Sequence, residues 1–120
     1  EQALQRAGSA GVEKERLMVD PGIGFGKSVE HNLQLMWDLP TFRDLDRPVL
    51  VGPSRKSFIE KLSGEEDPGK RVPGTASAAS VCVLRGADIL RVHDVRELKQ
   101  AVDVAMGFRQ IRGCNPENLC

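Results

Sequence analysis

The sequence carries no excess of either charge: Lys plus Arg and Asp plus Glu each total 17 among its 120 residues. No global field therefore favours nucleic acid or an anionic membrane surface. It has no apolar run near the roughly 18 residues of a membrane-spanning helix, and Glu1-Gln2-Ala3-Leu4-Gln5-Arg6 is not the charged-then-apolar start of a secretory signal. Cys82, Cys114 and Cys120 are odd in number and lack CxxC spacing, which argues against a compact zinc or redox motif. Free thiols in a reducing compartment are the expectation, cytoplasmic in general and organellar for some eukaryotic sources. Low-complexity tracts and sequence repeats are absent as well. So is an initiating Met, and because the first residues already have helical character, further sequence upstream is expected.

What is present is an alternation of short apolar runs with helical periodicities, and the length suits one core. Glu1 to Ala7 reads as the end of a helix, closed by Gly8, Ser9 and Gly11. Arg16 to Val19 reads as a buried strand stopped by Asp20-Pro21-Gly22. Ser28 is a good N-cap for a helix with Val29, Leu33, Met36 and Trp37 on its apolar face, ending at Pro40. Pro48 to Val51 is a second strand, followed by Ser54 as the cap of a short helix through Leu62. A polar loop spans Ser63 to Val72, and Thr75 to Leu84 is a helix of small apolar residues closed by Gly86. Ile89 to Val92 is a third strand. Asp94 and Glu97 form a capping box for a last helix with Leu98, Ala101, Val102, Ala105 and Phe108 on its apolar side. Residues 113–120 have no period and are expected to be a disordered tail beyond a domain spanning 1–112. Strands beginning near Arg16, Pro48 and Asp88 are spaced as βα units, so the class is α/β with a parallel sheet and helices outside it.

In such folds ligands gather at the carboxyl ends of the strands, where loops meet helix N-termini. All three expected strands end in polar groups. Asp20 can accept two N–H donors from one planar heterocycle, although an isolated Asp-Pro-Gly more often forms an Asx turn. Gly22, Gly24 and Gly26 alternate with Ile23 and Phe25, so the backbone can approach a ligand while Phe25 covers an aromatic ring. The dinucleotide spacing is not met. Lys27 reads as a solvated loop charge, and His31 as a solvent-facing helix residue. Lys56, placed in a first helical turn, opposes the macrodipole and is better explained by a polar or anionic ligand. Arg55 reads as an outward ion-pair partner, and Ser54 as a cap that can also touch ligand. Arg91 and His93 alternate across Val92 and face one side, where together they can clamp a phosphate.

Three blocks carry a family resemblance: Asp20-Pro21-Gly22-Ile23-Gly24-Phe25-Gly26-Lys27, Val51-Gly52-Pro53-Ser54-Arg55-Lys56-Ser57 and Gly86-Ala87-Asp88-Ile89-Leu90-Arg91-Val92-His93-Asp94. In order and spacing, from about Leu17 to Val104, the chain resembles the dihydropteroate synthases. That resemblance implies strands six to eight of a TIM (β/α)8 barrel, a fold of about 250 residues. It implies a transferase of folate biosynthesis that joins a dihydropterin pyrophosphate to p-aminobenzoate and releases pyrophosphate. By the same resemblance Asp20 binds the pterin, and Gly24, Phe25, Pro53 and Ser54 shape the aminobenzoate pocket. Lys56 lies between the two substrates, and Arg91 and His93 hold the pyrophosphate. Mg²⁺ is the implied cofactor, with its ligand expected in a first loop upstream and none in this chain. A homodimer through the last two helices, and no turnover by the isolated chain, are further expectations. The other readings of the same residues are a pterin-binding methyltransferase domain, which has no pyrophosphate to hold, and a non-catalytic half-barrel interaction module.

Overall fold

A computed structural model of the chain describes residues 1–111. Cys114, Cys120 and the expected tail lie outside the described residues. The described elements are α1 (Gln2–Ser9), α2 (Val29–Trp37), β1 (Leu50–Val51), α3 (Ser57–Ser63), α4 (Val72–Leu84), β2 (Ile89–Leu90) and α5 (Val95–Gln110). Short 3-10 turns cover Lys14–Arg16, Leu39–Leu45 and Pro68–Lys70.

The sheet is parallel, with Leu50 opposite Ile89 and Val51 opposite Leu90. Val19 joins it by a parallel bridge to Val49, its N–H donating to Pro48 O at 2.9 Å and its carbonyl accepting from Leu50 N at 2.8 Å. The strand expected over Arg16–Val19 thus contracts to that bridge, because Lys14–Arg16 close a 3-10 turn and Met18 is exposed. Ile23, Met36, Leu39, Val49, Val51, Phe58, Ile59, Cys82 and Ala87 form the core between sheet and helices.

Local chemistry explains both ends of α4 and the start of α2. Ser28 caps α2, its Oγ accepting from His31 N at 3.2 Å. Helix α4 begins at Val72, three residues before the expected start, because Pro73 sits in the first turn, where a missing N–H costs nothing. At its other end Gly86, with φ 101°, closes a Schellman motif: Gly86 N donates to Val83 O at 3.1 Å and Ala87 N to Cys82 O at 2.9 Å. Gly74 brings α4 onto α3 so closely that a Cβ there would run into Ile59 Cγ2.

Three expectations about helix faces and caps need correction. In α2 the buried residues are Asn32 and Met36, whereas Leu33 and Trp37 are exposed. The face turns because Asn32 is drawn inward to bond the glycine loop, and Trp37 is held outside by Arg85, whose guanidinium lies 4.5 Å from the ring centre and donates to Trp37 O at 2.6 Å. In α5 Leu98 and Ala105 are buried but Phe108 is exposed. The capping box does not form, since Asp94 makes no side-chain cap bond and its carboxylate is taken by Arg55 instead.

Candidate active site at the strand ends

Because Val19, β1 and β2 run parallel side by side, their carboxyl ends and the loops that follow fall on one edge of the sheet. Asp20 opens the first loop. Its Oδ1 accepts from Gly22 N at 2.8 Å, so the Asx turn is formed, and the exposed carboxylate keeps acceptor capacity beyond that single bond. Gly22, Gly24 and Gly26 all have positive φ, at 72°, 85° and 61°, which coils the loop and points Ile23 into the core and Phe25 outward.

Two side chains fasten this loop. Asn32, buried in α2, accepts from Gly24 N at 2.7 Å and donates to Ser28 O at 2.9 Å. Lys27 donates to Gly22 O at 2.7 Å and to Phe25 O at 3.0 Å, so it is a staple of the loop and not the solvated charge that its sequence neighbours suggest. Loop carbonyls, which no residue-type pattern displays, decide its position.

The second loop supplies Ser54, Arg55 and Lys56. Lys56 occupies the N-cap position of α3, with an extended backbone at φ −76°, ψ 157°, and not the first helical turn. Its side chain crosses to the glycine loop, where Nζ donates to Ile23 O and lies 4.6 Å from the Phe25 ring centre. Burial holds its amine below the ordinary lysine range, with Asp20 pulling the other way and Arg91 and Lys27 adding to the depression. Gly24 is the floor beneath it: a Cβ there would stand 2.5 Å from Lys56 Cδ. Pro53 is fully buried under the loop, so it fixes backbone and presents no surface.

Ser54 does not cap α3. It is buried, its Oγ shares a hydrogen bond of 2.8 Å with His93 Nδ1, and it accepts from His93 N at 3.1 Å, which ties the second loop to the third. Which partner donates in the Ser54–His93 side-chain bond follows the imidazole tautomer. Arg91 lies over Gly52, with Nε and Nη2 each 3.4 Å from where a Cβ would stand. Arg91 and His93 therefore both reach the end of β1, as their alternate spacing suggests.

Arg55 is itself left-handed, at φ 57°, and pairs bidentately with Asp94 at 3.0 and 2.5 Å. That hydrogen-bonded pairing holds the Asp94 carboxyl below its ordinary value and raises the guanidinium. Arg55 N donates to Thr75 Oγ1 at 3.0 Å, and Arg71 donates to Arg55 O at 2.9 Å. Asn32, Thr75 and Arg71 are the site's supports that the sequence reading passed over. Asn32 alone left a signal, as a polar residue four before Met36 on a helical face.

Among the described residues no group of three or more His, Cys, Asp or Glu side chains converges to hold a metal ion. No helix of the described residues is long and apolar enough to cross a membrane. A hollow of about 660 Å³ lies among α2, α3 and α4, lined by residues such as Leu33, Trp37, Leu62 and Val81, and contains none of the polar groups above. The polar groups described above lie instead at the carboxyl ends of the strands.

Residues 1–93 match the family described as pterin binding enzyme. The chain is 48% identical over 95 residues to the dihydropteroate synthase of Synechocystis sp., covering 79% of this chain and 33% of that protein. It is 43% identical over 101 residues to the Escherichia coli K12 dihydropteroate synthase, covering 84% and 36%. It thus spans about a third of the length of these relatives. In structure it is similar to the Xanthomonas albilineans dihydropteroate synthase, solved in complex with 7,8-dihydropteroate and, separately, with 4-aminobenzoic acid. Both comparisons give a TM-score of 0.87 at 42% identity over 92% of this chain and 41–42% of that one. With three motif blocks brought to one sheet edge and a family match over most of its length, the chain belongs to the pterin binding enzyme family.

Proposed function

We propose that the chain is the C-terminal portion of a dihydropteroate synthase, contributing strands six to eight of a TIM barrel within a domain that ends near residue 112. The observation that supports this best is the convergence of Asp20, Lys56, Arg91 and Ser54–His93 on one edge of a parallel sheet, where barrel enzymes place their sites. The relatives to which the chain is similar carry that name, and one of them is solved with 7,8-dihydropteroate and with 4-aminobenzoic acid.

In this reading Asp20 accepts N–H donors of the pterin ring, and Lys56 reaches across from the second loop between pterin and p-aminobenzoate. Phe25 and Gly24, with Ser54 and the backbone set by Pro53, wall the aminobenzoate side. The C–O bond from the pterin methylene to pyrophosphate breaks with its electron pair leaving on pyrophosphate, and Arg91 and His93 stabilise the departing charge. The aromatic amine then attacks the methylene, forming the C–N bond, and releases its proton. Mg²⁺ belongs to the proposal as a charge carrier held upstream of this chain. Helices α4 and α5 form a homodimer interface.

Two measurements test the reading. Isothermal titration of the longer protein that carries this segment should show binding of pyrophosphate, weakened about tenfold or more by Arg91→Ala, the order of a lost charge-assisted hydrogen bond. Binding of methyltetrahydrofolate without pyrophosphate would replace the synthase by a methyltransferase. The 120-residue chain alone should give no turnover, and dihydropteroate formed by mass-verified material of this length would refute the fragment assignment.

A further inference from the structure

The chain enters Lys56, whose side chain crosses to the glycine loop, from Arg55, which is left-handed at φ 57°. A left-handed conformation is uncommon for a non-glycine residue and persists where the surroundings over-determine it. Here three separate grips do so. Thr75, wholly buried on the inner side of α4, accepts from Arg55 N at 3.0 Å. Arg71, at 5% exposure one turn earlier, donates from Nη1 to Arg55 O at 2.9 Å. The Arg55 side chain is fastened to Asp94.

Arg71 is not a loose partner. Its remaining donors reach Glu65 O at 2.9 Å, Glu66 O at 2.7 Å and Glu60 Oε2 at 2.5 Å, which anchors the head of α4 to α3 and to the loop between them. Its guanidinium is therefore fixed before it meets Arg55, and Thr75 follows on the next helical turn, its own N–H donating to Arg71 O at 2.8 Å. One rigid helix start presents both a hydroxyl acceptor and a guanidinium donor to the two sides of a single peptide turn.

We propose that Thr75 and Arg71 are positioning residues that lock Arg55 in its left-handed turn and thereby aim Lys56 at the glycine loop. Neither reaches the strand-end cluster itself; they act through Arg55. This rests on the reading of Lys56 as a substrate-facing group, but the test does not require substrate.

The 120-residue chain, labelled in its lysine side chains, is titrated by NMR, with the Lys56 signal assigned from Lys56→Arg. In the unaltered chain Lys56 should titrate below an ordinary lysine, because burial disfavours its charged form. Thr75→Val, which keeps the shape but removes the hydroxyl acceptor, should move that titration up towards the ordinary value as the amine swings to solvent. Thr75→Ser, which keeps the hydroxyl, should titrate as the unaltered chain does. No difference between Thr75→Val and the parent, or an equal rise in Thr75→Ser, overturns the proposal.

Should Thr75→Val fail to fold, hydrogen exchange of the unaltered chain decides. The Arg55 amide should exchange at least about tenfold slower than an unprotected amide, the order of one net hydrogen bond, and unprotected exchange overturns it. Failure of pyrophosphate binding in the longer protein would remove the synthase reading and leave this positioning result standing. An unresponsive Lys56 would do the reverse.

Discussion

At Gly24 two constraints coincide on one residue: φ of 85°, and a Lys56 Cδ that would stand 2.5 Å from a Cβ. Gly26 has the first constraint without the second, since its φ is 61° and nothing lies within 4 Å of its Cβ position. Gly26→Ala should therefore cost only the backbone term, about 1–2 kcal/mol, whereas Gly24→Ala should cost about 1–2 kcal/mol more as Lys56 is displaced. Urea denaturation of both variants checks this, and equal losses would show that Lys56 moves aside freely. Removing the Lys56 side chain in the Gly24→Ala background should recover the excess but not the backbone term. A second residue-scale prediction concerns Cys82, whose thiol is pushed up to about 12 by burial. An unfolded thiol ionises near 8.5 to 9 while the folded one keeps its proton, so the unfolded state binds fewer protons and stability falls as pH rises through that window. Cys82→Ala should flatten the loss by about 1.4 kcal/mol per pH unit between roughly pH 9 and 11. Parallel curves for parent and variant would contradict the buried thiol.

Between elements, the carboxylate of Asp94 illustrates what local pattern cannot decide. Asp94 and Glu97 satisfy a capping-box spacing, and a reading confined to neighbours stops there. Arg55, 39 residues earlier, outcompetes the cap because a bidentate charge-assisted pair is stronger than one N–H donor and joins two strand-end loops. Ser28 and Gly86, by contrast, meet their partners within a few residues, so the α2 cap and the Schellman end of α4 were legible. The same division runs through the site. The positions of Asp20, Phe25, Lys56, Arg91 and His93 followed from strand ends and motif blocks, whereas the work of Asn32, Thr75 and Arg71 depends on partners brought by tertiary contact. The Asp94 pair also carries a pH signature. Its carboxyl is depressed in the fold, so the stability it adds is complete above the ordinary Asp value of 3.8 and is lost as pH falls through the lower folded value. Asp94→Asn should be less stable than the parent near neutrality, and the gap should narrow below that value. Melting temperatures measured down to about pH 2 test this, and a constant gap would remove the pair as its cause.

Over the whole molecule, the radius of gyration is 15.0 Å, against roughly 13.6 Å by the scaling for a compact domain of this length. Apolar surface lies open on either flank of α5. One flank is a hollow of about 250 Å³ beside the sheet edge, lined by Leu90, Val92, Val95 and Val102. The other is a groove of about 600 Å³ between α4 and α5, lined by Ala76, Ala101, Val104 and Phe108, in which Val104 and Phe108 are both 58% exposed. Apolar surface left open in this way drives association, and the two flanks compete as its seat. The proposed homodimer uses the α4–α5 groove, whose small residues let a second helix pair approach closely. Val104→Glu should then shift the chain towards monomer in sedimentation velocity by at least about tenfold in dissociation constant, since each interface would desolvate two new carboxylates. Val95→Glu, on the opposite flank, should leave that equilibrium unchanged. If Val95→Glu dissociates the assembly and Val104→Glu does not, self-association runs through the β2 flank, whose outer strand edge is unpaired among the described residues, and the helical dimer is wrong for this chain.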